Sequence, residues 1–276
     1  MKLLTIREPH GRTRAARLDG DELTLLDAPD VGALLAAGGL EGARTATGES
    51  RPLAGADLAP LVLRPPKVVC VGLNYRSHIS ETGLPMPAAP NYFAKFARSL
   101  IGAHDPIVLP TNSTAVDWEG ELGLVIGHEV RNATPAAALA AIAGFTIVND
   151  ISMRDLQFRT DQWLAGKAGE RSTPVGPMLV TTDEVGDGSG LELVTRVGGE
   201  IRQQADTSDL VFSPVDIVVD LSRIIGLEPG DVIATGTPGG VGMAMNPPRF
   251  LVPGDEVRVS ITGLGELVNP CEVGTA

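Results

Sequence analysis

Three carboxylates, Glu119, Glu121 and Asp150, stand in a pattern suited to holding one metal ion. Successive side chains of a strand point to opposite faces, so in DWEGELGLVIG the residues Glu119, Glu121, Gly123 and Val125 share one face, and Leu122, Leu124 and Ile126 share the other. The second run, AGFTIV, reads as a buried strand that stops at Asn149 and Asp150. Oxygen ligands with no Cys or His beside them suit a hard cation such as Mg2+ or Mn2+, not zinc. Taken alone, an E-x-E pattern equally describes a solvated strand face, and Asp150 equally a turn residue.

A second constellation lies upstream, in GLNYRSHISETG, where a helix is expected from Tyr75 to Glu81 with Asn74 as its N-cap. His78 and Glu81 are three residues apart and therefore neighbours on one helical face. A carboxylate beside an imidazole orients it and raises its basicity, which is what a general base acting on water needs. Lys95 reads as a salt bridge at a domain edge, while Arg154, Gln157 and Lys167 supply polar groups that could bind a substrate carboxylate or an oxyanion. In LEPGDVIATGTPGGVGM a strand runs into a Gly-rich loop whose N–H groups, with the Thr235 and Thr237 hydroxyls, could receive an anion. The loop matches neither a P-loop nor a dinucleotide fingerprint.

The elements that must carry these groups are mostly strands. Pro65-Pro66 cannot continue a helix or a central strand, which sets a boundary between a small β-rich unit, residues 1–64, and a main domain, residues 65–276. The first unit has turn signals at His10-Gly11 and Asp19-Gly20 and a helix expected over Val31 to Ala37. In the main domain the further helices are expected at Pro135 to Ile142 and Pro214 to Ile225. They do not alternate regularly with strands, so the expectation is an α+β, β-rich roll or sandwich with short peripheral helices and not a doubly wound sheet.

Composition narrows the partners. A net charge of −12 without clustered Lys or Arg excludes a nucleic-acid surface. The longest apolar run, Ala136 to Val148, is interrupted by Gly144 and Thr146 and falls short of the roughly 20 residues of a membrane span. The amino terminus lacks the continuous apolar region of a signal peptide, and Cys70 and Cys271 lie too far apart in sequence to suggest a disulfide framework. A cytoplasmic protein is expected, with Cys70 as a small core residue.

Five motifs in order, GLNYRSH, DWEGELG, VNDISMRD, GK followed by PVGP, and LEPGDVIATGTPGGVG, resemble the fumarylacetoacetate hydrolase family over about residues 66–270. The nearest look is to diketo-deoxy-sugar-acid hydrolases and hydroxyheptadienedioate isomerases. The resemblance implies a mixed β-sandwich roll, a divalent metal (Mg2+, with Mn2+ or Ca2+ as substitutes), a homodimer, and a small-molecule 2-oxo or 2,4-dioxo acid as substrate. It assigns Glu119, Glu121 and Asp150 as metal ligands and His78, Glu81 and Lys167 as catalytic. Arg154, Gln157, Thr237 and Tyr75 become substrate contacts. The implied reaction is hydrolytic C–C cleavage of a 2,4-dioxo acid to pyruvate or another 2-oxo acid and a carboxylic acid. An oxaloacetate-type decarboxylase, a keto–enol or double-bond isomerase and a catalytically idle binding protein remain as alternatives. Two departures stand out: Ala168–Ser172 read AGERS where the family often reads SFDTF, a change expected to reshape the pocket, and a hairpin carries Gly198-Gly199 in place of Asn-Gly.

Overall fold

The computed structural model describes residues 1–83 and 85–274. Its centre is a mixed sheet whose strands run in the spatial order Ser50–Pro52, Glu22–Leu25, Thr13–Asp19, Lys2–Arg7, Thr173–Thr181, Ile142–Asn149, Gly120–Ile126, Val232–Ala234, Val68–Gly72 and Asn91–Lys95. A smaller sheet, Glu200–Asp206, Glu192–Val197, Glu256–Ile261, Gly265–Val273 and Ile107–Leu109, packs across one face. This is the β-rich α+β architecture expected.

The two sheets come into close contact at Gly120, where a Cβ would stand 2.3 Å from Thr195 Oγ1 and 3.0 Å from Val259. Between them lies a core that includes Trp118, Leu122, Leu124, Phe145, Ile147, Val259 and Leu267. The opposite face of the central sheet is also covered, by Val31, Leu35 and Leu61 packed with Cys70, Val125, Val148 and Val175. Both faces of Gly120–Ile126 are therefore buried along its whole length. The solvated-face alternative for Glu119 and Glu121 is set aside by this double covering.

The first 64 residues extend the same sheet, because Lys2–Arg7 pairs with Thr173–Thr181 and contributes Leu3 to the second core. The four helices expected from sequence are present as Val31–Ala36, Arg76–Thr82, Pro135–Ala141 and Pro214–Ile224. The last begins with a capping box between Ser213 and Asp216 and has Pro214 in its first turn. Two one-turn helices, Arg154–Gln157 and Leu164–Lys167, carry side chains into the centre of the fold. Among the described residues no helix is long and apolar enough to cross a membrane.

Candidate active site

Strand register brings the carboxylates together. Gly120 pairs with Asn149, the Glu119 N–H donates to Asn149 Oδ1 (3.1 Å), and the Asp150 N–H donates to the Glu119 carbonyl (2.8 Å). Glu119, Glu121 and Asp150 are all buried, and each offers a carboxylate oxygen within 4.8 Å of the other two. Glu119 immediately precedes the strand Gly120–Ile126 that carries Glu121, and Asp150 immediately follows the neighbouring strand Ile142–Asn149, so the three face one point.

Three cations close around this cluster. Lys167 Nζ lies 2.6 Å from Glu119 Oε2 and 2.9 Å from Asp150 Oδ2, and it sits 4.8 Å from the centre of the Phe93 ring. Arg154 spans two acids, with Nε 2.8 Å from Asp117 Oδ2 and Nη1 2.6 Å from Glu119 Oε1. Lys95 reaches Asp150 Oδ1 at 2.6 Å and the Ile151 carbonyl at 3.0 Å, fully buried. The domain-edge reading of Lys95 is thereby corrected. Its partner lies 55 residues away in sequence, on an element that no local pattern connects to it.

The charges do not balance. Asp117, Glu119, Glu121 and Asp150 are four buried carboxylates against Lys95, Arg154 and Lys167. Burial disfavours the charge of Glu119, yet Lys167 and Arg154 hold its carboxyl well below the usual range. Glu121 goes the other way: burial first, then the charges of Asp150 and Glu119, push it well above 4.5. Its hydrogen bond comes from the Gly236 N–H at 2.7 Å, and among the described residues no cation pairs with it. A cluster of oxygen donors with one uncompensated carboxylate fits a hard divalent cation. Glu119, Glu121 and Asp150 would hold it.

Above the cluster, His78 Nδ1 lies 3.1 Å from Glu81 Oε2. Glu81 is itself held by the Gly240 N–H, 3.0 Å from Oε1. With Glu81 accepting, Nδ1 carries the proton and Nε2 presents the free lone pair. His78 is only 8% exposed and lines a cavity of about 280 Å³ together with Glu119, Glu121, Arg154, Gln157, Lys167 and Thr237. Asn74 does not cap this helix; Tyr75 holds the N-cap position. The Asn74 amide instead bonds the Phe212 and Thr235 carbonyls (2.9 and 2.7 Å) and accepts from the Phe212 N–H (2.8 Å), tying the helix entrance to two distant loops.

The Gly-rich loop does receive anions, but they are the protein's own. Gly236 donates to Glu121, Gly240 to Glu81, and Gly242 and Met243 to Asp117. At Gly240 a Cβ would stand 1.9 Å from the Arg202 carbonyl, and φ is +99°, so only glycine fits there. The Thr235 hydroxyl donates to the Leu122 carbonyl (2.9 Å). Thr237 donates to the Gly120 carbonyl (3.0 Å) and accepts from Gln203 Nε2 (2.7 Å). Gln203, which sequence reasoning missed, also accepts from the Gly120 N–H (3.0 Å), and its position on an unremarkable hairpin strand gives no signal.

Tyr75 is fully buried with its hydroxyl unpartnered, and it does not line the cavity. Ala168–Arg171 also stand elsewhere: they line a separate groove with Thr111, Leu156 and Glu272. The expectation that the AGERS stretch reshapes the pocket is corrected on that ground. Ser172 turns back to the Gly169 carbonyl (2.8 Å).

Residues 67–272 match the family model described as fumarylacetoacetate (FAA) hydrolase, C-terminal. The human mitochondrial protein named oxaloacetate tautomerase FAHD2A is 47% identical over 214 residues, which cover 77% of this chain and 68% of that one. A solved fumarylacetoacetate hydrolase from the psychrophile Exiguobacterium antarcticum superposes with a TM-score of 0.86 at 33% identity, over 99% of this chain and 100% of that one. The 2-hydroxyhepta-2,4-diene-1,7-dioate isomerase structure from Mycobacterium marinum gives 0.81 at 35% identity, with both chains fully covered.

Proposed function

The chain belongs to the fumarylacetoacetate hydrolase family, and from that premise we propose that it catalyses keto–enol proton transfer at C3 of a 2-oxo acid. A divalent cation, Mg2+ in this reading, would be held by Glu119, Glu121 and Asp150 and would supply Lewis-acid polarisation of the substrate's carboxylate and ketone when bound. His78 Nε2 takes the C3 proton. The C–H electron pair becomes the C2=C3 π bond as the C2=O π pair moves onto the ketone oxygen, and the imidazolium is stabilised by Glu81 at 3.1 Å until the proton is delivered to the enolate oxygen or back to C3. Arg154 turns Gln157 by donating to its Oε1 (2.9 Å), which leaves the Gln157 amide NH2 as a neutral donor lining the cavity.

The observation that carries this reading over hydrolysis is the geometry of Lys167. An ammonium has three donor directions, and here they are spent on Glu119, on Asp150 and on the face of Phe93. Lys167 is thus committed to the carboxylates and is not a free donor for the tetrahedral oxyanion that C–C hydrolysis would build. Proton transfer needs only the base and the polarised ketone. The name of the human relative, an oxaloacetate tautomerase, agrees with this choice.

Hydrolysis of a 2,4-dioxo acid stands as the second reading, favoured by the His78–Glu81 pair, which is equally suited to deprotonating water. Exchange of the C3 protons of 2-oxohexanoate in deuterated buffer, followed by proton NMR, tests the first. The His78→Ala variant is expected to lose exchange by at least about 100-fold. Unchanged exchange in that variant contradicts the scheme.

A further inference from the structure

Asp117 is a fully buried carboxylate that none of the chemistry above uses. Its Oδ1 accepts from the Trp118 and Gly242 N–H groups at 2.9 and 2.7 Å, and its Oδ2 accepts from Arg154 Nε and the Met243 N–H at 2.8 and 3.0 Å. Trp118 Nε1 donates to the Gly240 carbonyl at 3.1 Å, a second tie to the same turn. Asp117 does not itself line the cavity. Two parts of the cavity wall hang on it: the turn whose Val241 and Met243 join Phe93, Phe158 and Trp163 in an apolar wall, and the side chain of Arg154.

Backbone donors pin both oxygens of Asp117, so the carboxylate is fixed by the fold and Arg154 must come to it. A guanidinium is a rigid planar fork, and fixing two of its nitrogens fixes the third. Nε is held by Asp117, and Nη1 by Glu119 Oε1 and Gln157 Oε1 at 2.6 and 2.9 Å. Nη2 is buried and, among the described residues, has no partner. A buried charged donor is costly to leave unmade, and in a residue that lines the cavity a ligand can supply the acceptor.

We infer that Asp117 is a positioning residue: it aims the Arg154 fork so that Nη2 receives an acceptor oxygen of the bound 2-oxo acid. This rests on the reading of the carboxylate cluster as the metal and 2-oxo-acid end of the site.

The test is calorimetric titration of 2-oxohexanoate into the Mg2+-loaded wild type, Asp117→Asn, Arg154→Gln and the double variant. Asn removes the charge and sets an NH2 group against one of the two donor pairs. Asp117→Asn is expected to weaken binding by about 10- to 100-fold, the worth of a hydrogen bond to a charged group, and to add nothing in the Arg154→Gln background. Wild-type affinity in Asp117→Asn overturns the inference. So does a loss that persists in full when Arg154 is already gone, which is the signature of an effect through the turn. If Asp117→Asn does not fold, 15N NMR of the wild-type guanidinium decides, with the signals assigned by their disappearance in Arg154→Lys. The Nη2 protons should shift when 2-oxohexanoate is added, and an unmoved Nη2 signal overturns the inference. Binding that follows this pattern without C3 exchange upholds the inference and overturns the catalytic reading alone. Exchange in the wild type with no Asp117 effect does the reverse, and failure of the wild type to bind overturns both.

Discussion

Glu121 is the residue on which the site's electrostatics turn. It is a buried carboxylate with one backbone donor, facing two like charges, and its carboxyl titrates above 4.5 for that reason. A group whose folded value is raised contributes stability that is fully present below its unfolded value and is lost as pH rises through the folded one. Metal-free protein should therefore lose stability as pH rises from 4.5 toward neutrality, and Glu121→Gln, a permanent mimic of the neutral acid, should melt higher than wild type at pH 8 in EDTA. That difference should shrink toward pH 4, and saturating Mg2+ should reverse it. Thermal melts of the two proteins across pH, with and without metal, provide the check. Lys95 makes the complementary case. Replacing it with Ala leaves Asp150 buried with Lys167 as its one remaining cation, at a cost of about 3 kcal/mol, read as a lower denaturant midpoint at unchanged m value. The carboxylates were legible in the sequence because strand alternation is local. Lys95 was not, because its partner depends on which strands become neighbours.

At the scale of elements, what matters is how a one- or two-turn helix is held still. The Arg76–Thr82 helix carries His78 but has no side-chain cap of its own. Its position depends on Asn74, whose three hydrogen bonds reach Phe212 and Thr235, and on Gly240, which fixes Glu81. Asn74→Ala should cost about 2–3 kcal/mol by orphaning buried backbone groups and should lower kcat more than it raises KM, since the base moves while the carboxylates do not. Stopped-flow and equilibrium denaturation on the same variant separate these effects. Ser213→Ala, which breaks the capping box of Pro214–Ile224, should cost only about 1 kcal/mol and leave catalysis intact. The four expected helices stand within a residue of their expected ends, whereas Leu40–Thr45 and the one-turn helices Arg154–Gln157, Leu164–Lys167 and Thr182–Val185 were not expected, and Asn74 did not behave as its type predicts. An Asn before a helix can cap it or bond elsewhere, and here the Phe212 and Thr235 backbone groups outcompete the local N–H.

At the scale of the whole molecule, the fold buries one charged cluster at the floor of a cavity. The central sheet is covered on both faces, and the amino-terminal strand Lys2–Arg7 extends it beside Thr173–Thr181. Ordered motifs placed this chain in its family from sequence, whereas the committed donors of Lys167, the apolar cavity wall and the displacement of Ala168–Arg171 to another groove needed three dimensions. Because the cluster carries an excess of negative charge, a bound cation should stabilise the entire domain, by about 2.7 kcal/mol at a metal concentration 100 times its Kd, and EDTA should remove that gain. The most direct test of the central claim is proton NMR of 2-oxohexanoate with the enzyme in deuterated buffer, with Mg2+ and with EDTA. Loss of the C3 signal that requires metal, with the carbon chain intact, is the predicted result. Exchange that proceeds equally in EDTA, or no exchange in either buffer, would contradict it.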